Sequence, residues 1–134
     1  MKSFTTIIAA TLIALPSVMG QLCVGQGAGS CQFVMEGVIG PLTDLVYYVK
    51  LYDHACNLIG SADGIDVGTA VDSRLPYTVD ITSRGGVGTT TYATMNYAGH
   101  SYGKGITSYV QGDCSSNALI GCGFMRSAFP CPGF

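Results

Sequence analysis

The clearest regularity along the chain is a two-residue alternation of apolar and polar positions. Tyr77, Val79 and Ile81 alternate with Thr78, Asp80 and Thr82, the pattern of a strand with one face in a core and one in water. Residues 44–53 are denser in apolar side chains. Leu45, Tyr47, Val49 and Leu51 share one face, and Val46, Tyr48, Lys50 and Tyr52 share the other. With both faces largely apolar, this segment predicts a central strand between two layers. A helix opened by Pro41 and Thr43 competes, but the β-branched and aromatic content favours a strand. Leu45, Val49, Val79 and Ile81 are the predicted core markers.

Further strands are predicted at 32–39, 56–61 and 106–111, and at 65–71 across an Ala62-Asp63-Gly64 turn. Residues 87–97 read as one long strand with Val87, Thr89, Thr91, Ala93, Met95 and Tyr97 on a single face. Gly85-Gly86 marks a turn, and 21–30, 72–76 and 99–105 read as loops. From Cys114 onward the mix of Cys, Pro and Gly predicts an irregular tail, with one helical turn after Ser115-Ser116. Several short strands separated by turn signals indicate an all-β domain, a disulfide-stabilised β-sandwich with a small β-barrel as the alternative.

The first twenty residues follow a different pattern. Lys2 precedes an apolar run from Phe4 to Leu15 broken only by threonines, Pro16 ends it, and the small residues Val18 and Gly20 precede Gln21. This is the order of a signal peptide, and the run is shorter than the roughly 20 residues of a membrane-spanning helix. Residues 1–20 are therefore expected to be removed, leaving 21–134 as one secreted, extracellular domain with no membrane span.

All six cysteines lie in that domain: Cys23, Cys31, Cys56, Cys114, Cys122 and Cys131. An even count in a short secreted chain predicts a disulfide framework. Their spread, two near the new N-terminus and three near the C-terminus, predicts bridges that tie the ends to each other and to one early strand. No Cys-x-x-Cys pair is present and neither histidine lies near a cysteine pair, so a zinc site is not expected.

Charge narrows the function. The chain carries 6 basic and 8 acidic residues; loss of Lys2 leaves five against eight, a net of −3. With no basic run, nucleic acid is not an expected partner. No Asn-x-Ser/Thr sequence occurs, so N-glycans are not expected. Catalytic candidates are sparse. His54 follows Asp53 and His100 precedes Ser101, but no nucleophile elbow or other catalytic frame surrounds them. Glu36 is the single glutamate. Asp63, Asp66 and Asp72 cluster near Gly64 and Gly68 without the order of an EF-hand loop, and turn aspartates bonded to their own backbone account for them. Gly85-Gly86-Val87-Gly88 lacks the following helix and the lysine of a phosphate cradle. Neither an enzyme, a metal nor a cofactor is expected.

The remaining candidates are tyrosines. Tyr92, Tyr97, Tyr102 and Tyr109 gather in and around the last long strands, and exposed tyrosine gives large contact area at low entropic cost. They are the expected binding residues. The leader MKSFTTIIAATLIALPSVMG, the small acidic mature chain and the even cysteine count around a β-rich middle resemble small secreted fungal proteins of the effector type. That resemblance implies non-enzymatic, virulence-related action on a host partner. The expected function is a secreted interaction protein with a protein or cell-surface partner. A carbohydrate- or cell-wall-binding module is the alternative, to be recognised by a coplanar row of exposed aromatics.

Overall fold

The computed structural model describes residues 22–39, 45–86, 90–104, 106–110 and 122–134. These form nine strands: β1 Ser30–Ile39, β2 Leu45–Tyr52, β3 Leu58–Asp63, β4 Ala70–Ser73, β5 Val79–Gly85, β6 Tyr92–Tyr97, β7 His100–Gly103, β8 Ile106–Val110 and β9 Cys122–Pro130. All described pairings are antiparallel, and they run in the order β7-β6-β5-β4-β3-β2-β1-β9-β8. The all-β expectation holds.

The sandwich does not. A sandwich needs two separate sheets, whereas here the ladder is continuous through β4. That four-residue strand pairs Ser73 and Asp72 with β3 and Ala70 and Val71 with β5. The single sheet curls until its two ends approach. Phe129 on β9 packs its ring edge-on against Tyr97 of β6 and tilted against Tyr102 of β7, at centroid distances of 5.2 and 5.9 Å. The result is a nearly closed barrel, an arrangement that leaves little free strand edge.

The predicted period places most of the core. Val49, Val79, Ile81, Ala93 and Met95 are fully buried inside the barrel with Phe33, Met35, Leu51 and Met125. Thr91 and Tyr97 are buried on the face that the alternation assigned them. Leu45 is the exception, 40% exposed, because it stands at the first position of β2, beyond the end of the packed interior. Tyr77 departs likewise: it lies in the bend before β5 and is 60% exposed. Gly37, inward on β1, makes room for the Tyr47 ring; a Cβ there would sit 3.3 Å from Tyr47 Cε1 and 3.4 Å from the Gly86 carbonyl oxygen.

β1 is buried on its second face too. Gln32, Val34, Glu36 and Val38 are almost inaccessible. In register on that face, Val34 lies between Lys50 and Arg126, and Glu36 between Tyr48 and Phe124. Lys50 offsets the buried Glu36 carboxylate with an ion pair at 3.4 Å, as a buried charge requires. Glu36 together with burial pushes the Tyr52 hydroxyl above its ordinary pKa, burial being the larger cause.

Three segments differ from expectation. The C-terminal region is not an irregular tail over residues 122–130: β9 lies between β1 and β8, with Phe124, Met125 and Phe129 buried. Its proline, Pro130, lies beyond the stretch of β9 paired with β8, where β9 has β1 as its one partner and proline is tolerated as on an edge. The helical turn expected after Ser115 lies outside the described residues. The 99–105 loop contains a real strand, β7, which folds back on β6 through Ala98 and Gly99, both at positive φ. The predicted return strand at 65–71 forms only from Ala70. Residues before it cap the barrel instead, with Ile65 buried and its N–H donating to the Tyr47 carbonyl.

Two disulfides are described. Cys31–Cys131 links β1 to the residue after β9, and Cys23–Cys56 ties the N-terminal lead to the β2–β3 turn. The end-to-end bridge is the one the cysteine spread predicted, whereas the second reaches the turn before β3 rather than an early strand; both fit an oxidising compartment. The lead is held further by Gln32, a buried polar side chain whose Oε1 accepts from Val24 N–H at 3.0 Å and whose Nε2 donates to the Val24 carbonyl. Cys114 and the side chain of Cys122 lie outside the described residues.

Candidate functional site

The four expected tyrosines do not form one face. Tyr97 is buried, and burial, helped by Tyr77 and Tyr102, pushes its hydroxyl above the ordinary tyrosine range. Tyr102 is half-buried against the core. Tyr92 is 47% exposed, but it stands at the opposite end of β6, against Gly85. The Tyr109 side chain lies outside the described residues. Inward-facing positions on β6 alternate by two, so a tyrosine at Tyr97 must point opposite to one at Tyr92.

The structure links some of them in a different way. Tyr77 packs edge-on against Tyr97 at 5.9 Å with an interplanar angle of 77°. Tyr97 packs on Phe129, Phe129 on Tyr102, and Tyr102 faces His100 at 6.4 Å. This aromatic run starts at an exposed ring, passes through the barrel seam and surfaces at β7. Its edge-to-face and tilted geometry is that of ring pairs packing for stability.

The exposed start of that run borders two shallow furrows on either side of β4. One, of about 370 Å³, is lined by Asp72, Ser73, Leu75, Pro76 and Tyr77. The other, of about 360 Å³, is lined by Leu58, Gly60, Ser61, Asp72, Ser73 and Arg74. They share Asp72 and Ser73, so they form one interrupted surface. The strand ladder is thin there, with two residue pairs on each side of β4. Arg74 continues it irregularly, its backbone N–H donating to the Ile59 carbonyl at 2.9 Å. Gly60 permits the close approach of β3 and β4: a Cβ would lie 2.5 Å from the Ser73 Cβ. Leu58, 52% exposed, and Tyr77 flank the surface.

The other sequence candidates have structural occupations. Asp53 organises the turn after β2: one carboxylate oxygen accepts from the N–H of Ala55 and of Asn57, the other from the Asn57 side chain. The Asn57 side-chain bond is the main reason its carboxyl is held below the ordinary range. The Ser101 hydroxyl donates to Asn96 Oδ1 at 2.6 Å, so Ser101 is engaged with Asn96. Asp66 forms an ion pair with Arg84, while Asp63 ends β3 and Asp72 lies in β4. Among the described residues no three His, Cys, Asp or Glu side chains gather as a metal site would need, and no helix is long and apolar enough to cross a membrane.

Leu58, Tyr77 and Arg84 were not singled out by sequence as functional residues. Leu58 and Tyr77 look like ordinary strand members by period, and their exposure depends on where β3 and β5 begin. Arg84 carried a usable signal, a cation directly before Gly85-Gly86 in a chain with few charges. The whole chain matches no protein-family model, no characterised protein and no solved structure.

Proposed function

We propose that this is a secreted, non-enzymatic interaction protein that binds a protein or cell-surface partner outside the producing cell, as effector-type proteins do. The observation that carries this reading is the furrowed surface around β4. It places two large apolar side chains, Leu58 and Tyr77, in solvent beside polar groups of Asp72, Ser73 and Arg74. An exposed aromatic anchor with polar neighbours is the usual make-up of a binding patch. Both furrows are open and shallow, which suits a partner's surface better than a small enclosed substrate. The two disulfides and the barrel hold this surface on a rigid frame suited to extracellular conditions.

The carbohydrate-binding alternative asks for a coplanar aromatic row. Among the described residues the large exposed aromatic side chains are Tyr77 and Tyr92, which stand at opposite ends of the β5–β6 ladder and form no such row, which favours a protein partner. The test is binding of the oxidised protein to intact host cells or extracellular matrix, comparing wild type with Leu58→Ser, Tyr77→Ser and the double variant. Both side chains are exposed, so melting should change little while binding falls. Unimpaired binding by a well-folded double variant would remove this surface from the function. Binding that a soluble cell-wall polysaccharide abolishes would move the assignment to the carbohydrate reading.

A further inference from the structure

A second cleft, distinct from the β4 surface, lies at the opposite end of β3. It has a volume of about 230 Å³ and is lined by Leu45, Val46, Tyr47, Ile65, Asp66 and Arg84. The Arg84 guanidinium carbon lies 4.5 Å from the centroid of the Tyr47 ring, a cation–π contact. That ring is itself fixed, because the Tyr47 hydroxyl donates to the Gly86 carbonyl at 3.1 Å. Burial raises the pKa of this hydroxyl, against the opposing pull of Arg84. The guanidinium is thus held in one plane against an anchored platform.

Its hydrogen bonding is incomplete. Arg84 Nη2 donates to Asp66 Oδ1, while Arg84 Nε is buried and has no hydrogen-bond partner. A buried N–H without an acceptor is uncommon and asks for a cause. Nε and Nη2 form one edge of the guanidinium, and a carboxylate can take both in two parallel bonds. Asp66 takes only one. Its side chain is 81% exposed, and ion pairs so placed are weak and readily exchanged.

We propose that this cleft receives the acidic side chain of a partner protein, whose carboxylate takes the Nε–Nη2 edge of Arg84 and displaces Asp66 into solvent. Asp66 is the resident substitute that keeps Arg84 paired when no partner is bound. The walls select the kind of carboxylate. Leu45 and Val46 offer aliphatic surface for a short methylene stem. The Tyr47 face is covered by Arg84 and its hydroxyl is engaged with Gly86, so neither is free to stack on or bind a sugar ring. A glutamate or aspartate side chain suits such walls better than a uronic acid, whose hydroxyls need several polar partners.

The experiment follows the Arg84 Nε–Hε resonance of ¹⁵N-labelled, oxidised protein during titration with N-acetylglutamate amide, N-acetylglutamine amide and galacturonate. The glutamate probe is expected to shift that resonance saturably and the glutamine probe to leave it in place. Asp66→Asn, which removes the internal competitor, should bind the glutamate probe about two- to fivefold more tightly, the strength of an exposed ion pair. Arg84→Lys keeps the charge but loses the planar edge, and backbone resonances around the cleft should no longer respond. No saturable shift in Asp66→Asn overturns the site without reference to any Arg84 variant or its folding. Tighter binding of galacturonate than of the glutamate probe overturns the choice of a protein carboxylate. Leu58→Ser/Tyr77→Ser protein should titrate as wild type, so failure here and failure of the β4 surface are separable.

Discussion

Removing the Cys31–Cys131 bridge by a Cys31→Ala/Cys131→Ala double substitution should be more damaging than removing Cys23–Cys56, the other described bridge. The bridge spans 100 residues, against 33 for Cys23–Cys56. In the chain-entropy model a 100-residue loop contributes about 4.7 kcal/mol and a 33-residue loop about 3.7 kcal/mol. Environment widens the gap. Cys31 and Cys131 are both fully inaccessible members of the core, so losing the sulfurs leaves space among Phe33, Phe129 and their neighbours, on the order of 1 kcal/mol more. The expected loss is roughly 5–6 kcal/mol, comparable with the whole stability of many domains, about 5–15 kcal/mol. Cys23–Cys56 staples only the N-terminal lead, which Gln32 and the backbone bond from Gln26 N–H to the His54 carbonyl also hold. Urea titration of both double variants at one pH, followed by far-ultraviolet circular dichroism, measures the two losses. The Cys31/Cys131 variant should unfold at much lower urea. An equal or larger loss for Cys23/Cys56 would refute the reasoning, and would show that the lead and the Asp53 turn carry more of the fold than loop length implies.

Three further outcomes are expected. Gly86→Ala should lose more than about 1 kcal/mol by thermal or urea unfolding, because Gly86 has φ +72° and a Cβ there runs into the Thr90 backbone. Asp53 has a lowered folded-state pKa, chiefly through the Asn57 side chain, so its contribution is complete above the unfolded value of about 3.9 and is lost as pH falls through the folded value. Asp53→Asn should therefore flatten the acid limb of the stability–pH curve, and a limb of unchanged steepness would count against this role. Finally, thiol labelling of the denatured, unreduced protein should mark no cysteine, as the even count of six predicts; one labelled thiol would exclude three intact bridges.

What the sequence revealed and what it hid divide along one physical line. Strand period is local, and it located Val49, Val79, Ile81, Ala93, Met95 and Tyr97 correctly because a residue's face depends only on its neighbours two positions away. Strand ends are set by tertiary contacts, and there the pattern failed: Leu45 and Tyr77 share the period of buried residues but stand outside the packed length. The C-terminal strand was hidden for a related reason. The Gly, Pro and Cys residues in and around it read as irregular, yet the register with β1 places Met125 and Phe129 opposite Met35 and Cys31, a match visible only once the two ends are brought together.

The choice between sandwich and barrel lies wholly in long-range closure. Both folds use the same alternating strands, and they differ in whether the sheet is interrupted. Here the deciding residues are Ser73 and Val71, which carry the ladder across β4 from β3 to β5. Phe129 joins them by meeting Tyr97 and Tyr102 across the seam. The same two features generate the candidate sites. Where β4 is too short to fill the gap between its longer neighbours, the furrows open beside Leu58 and Tyr77. At the far end of the barrel, Ile65 and Asp66 cap the interior and bring Arg84 over Tyr47. Tyrosine count along the chain does not say which rings reach solvent, because exposure at Tyr77 and burial at Tyr97 follow from their places at the mouth and the seam of one curled sheet.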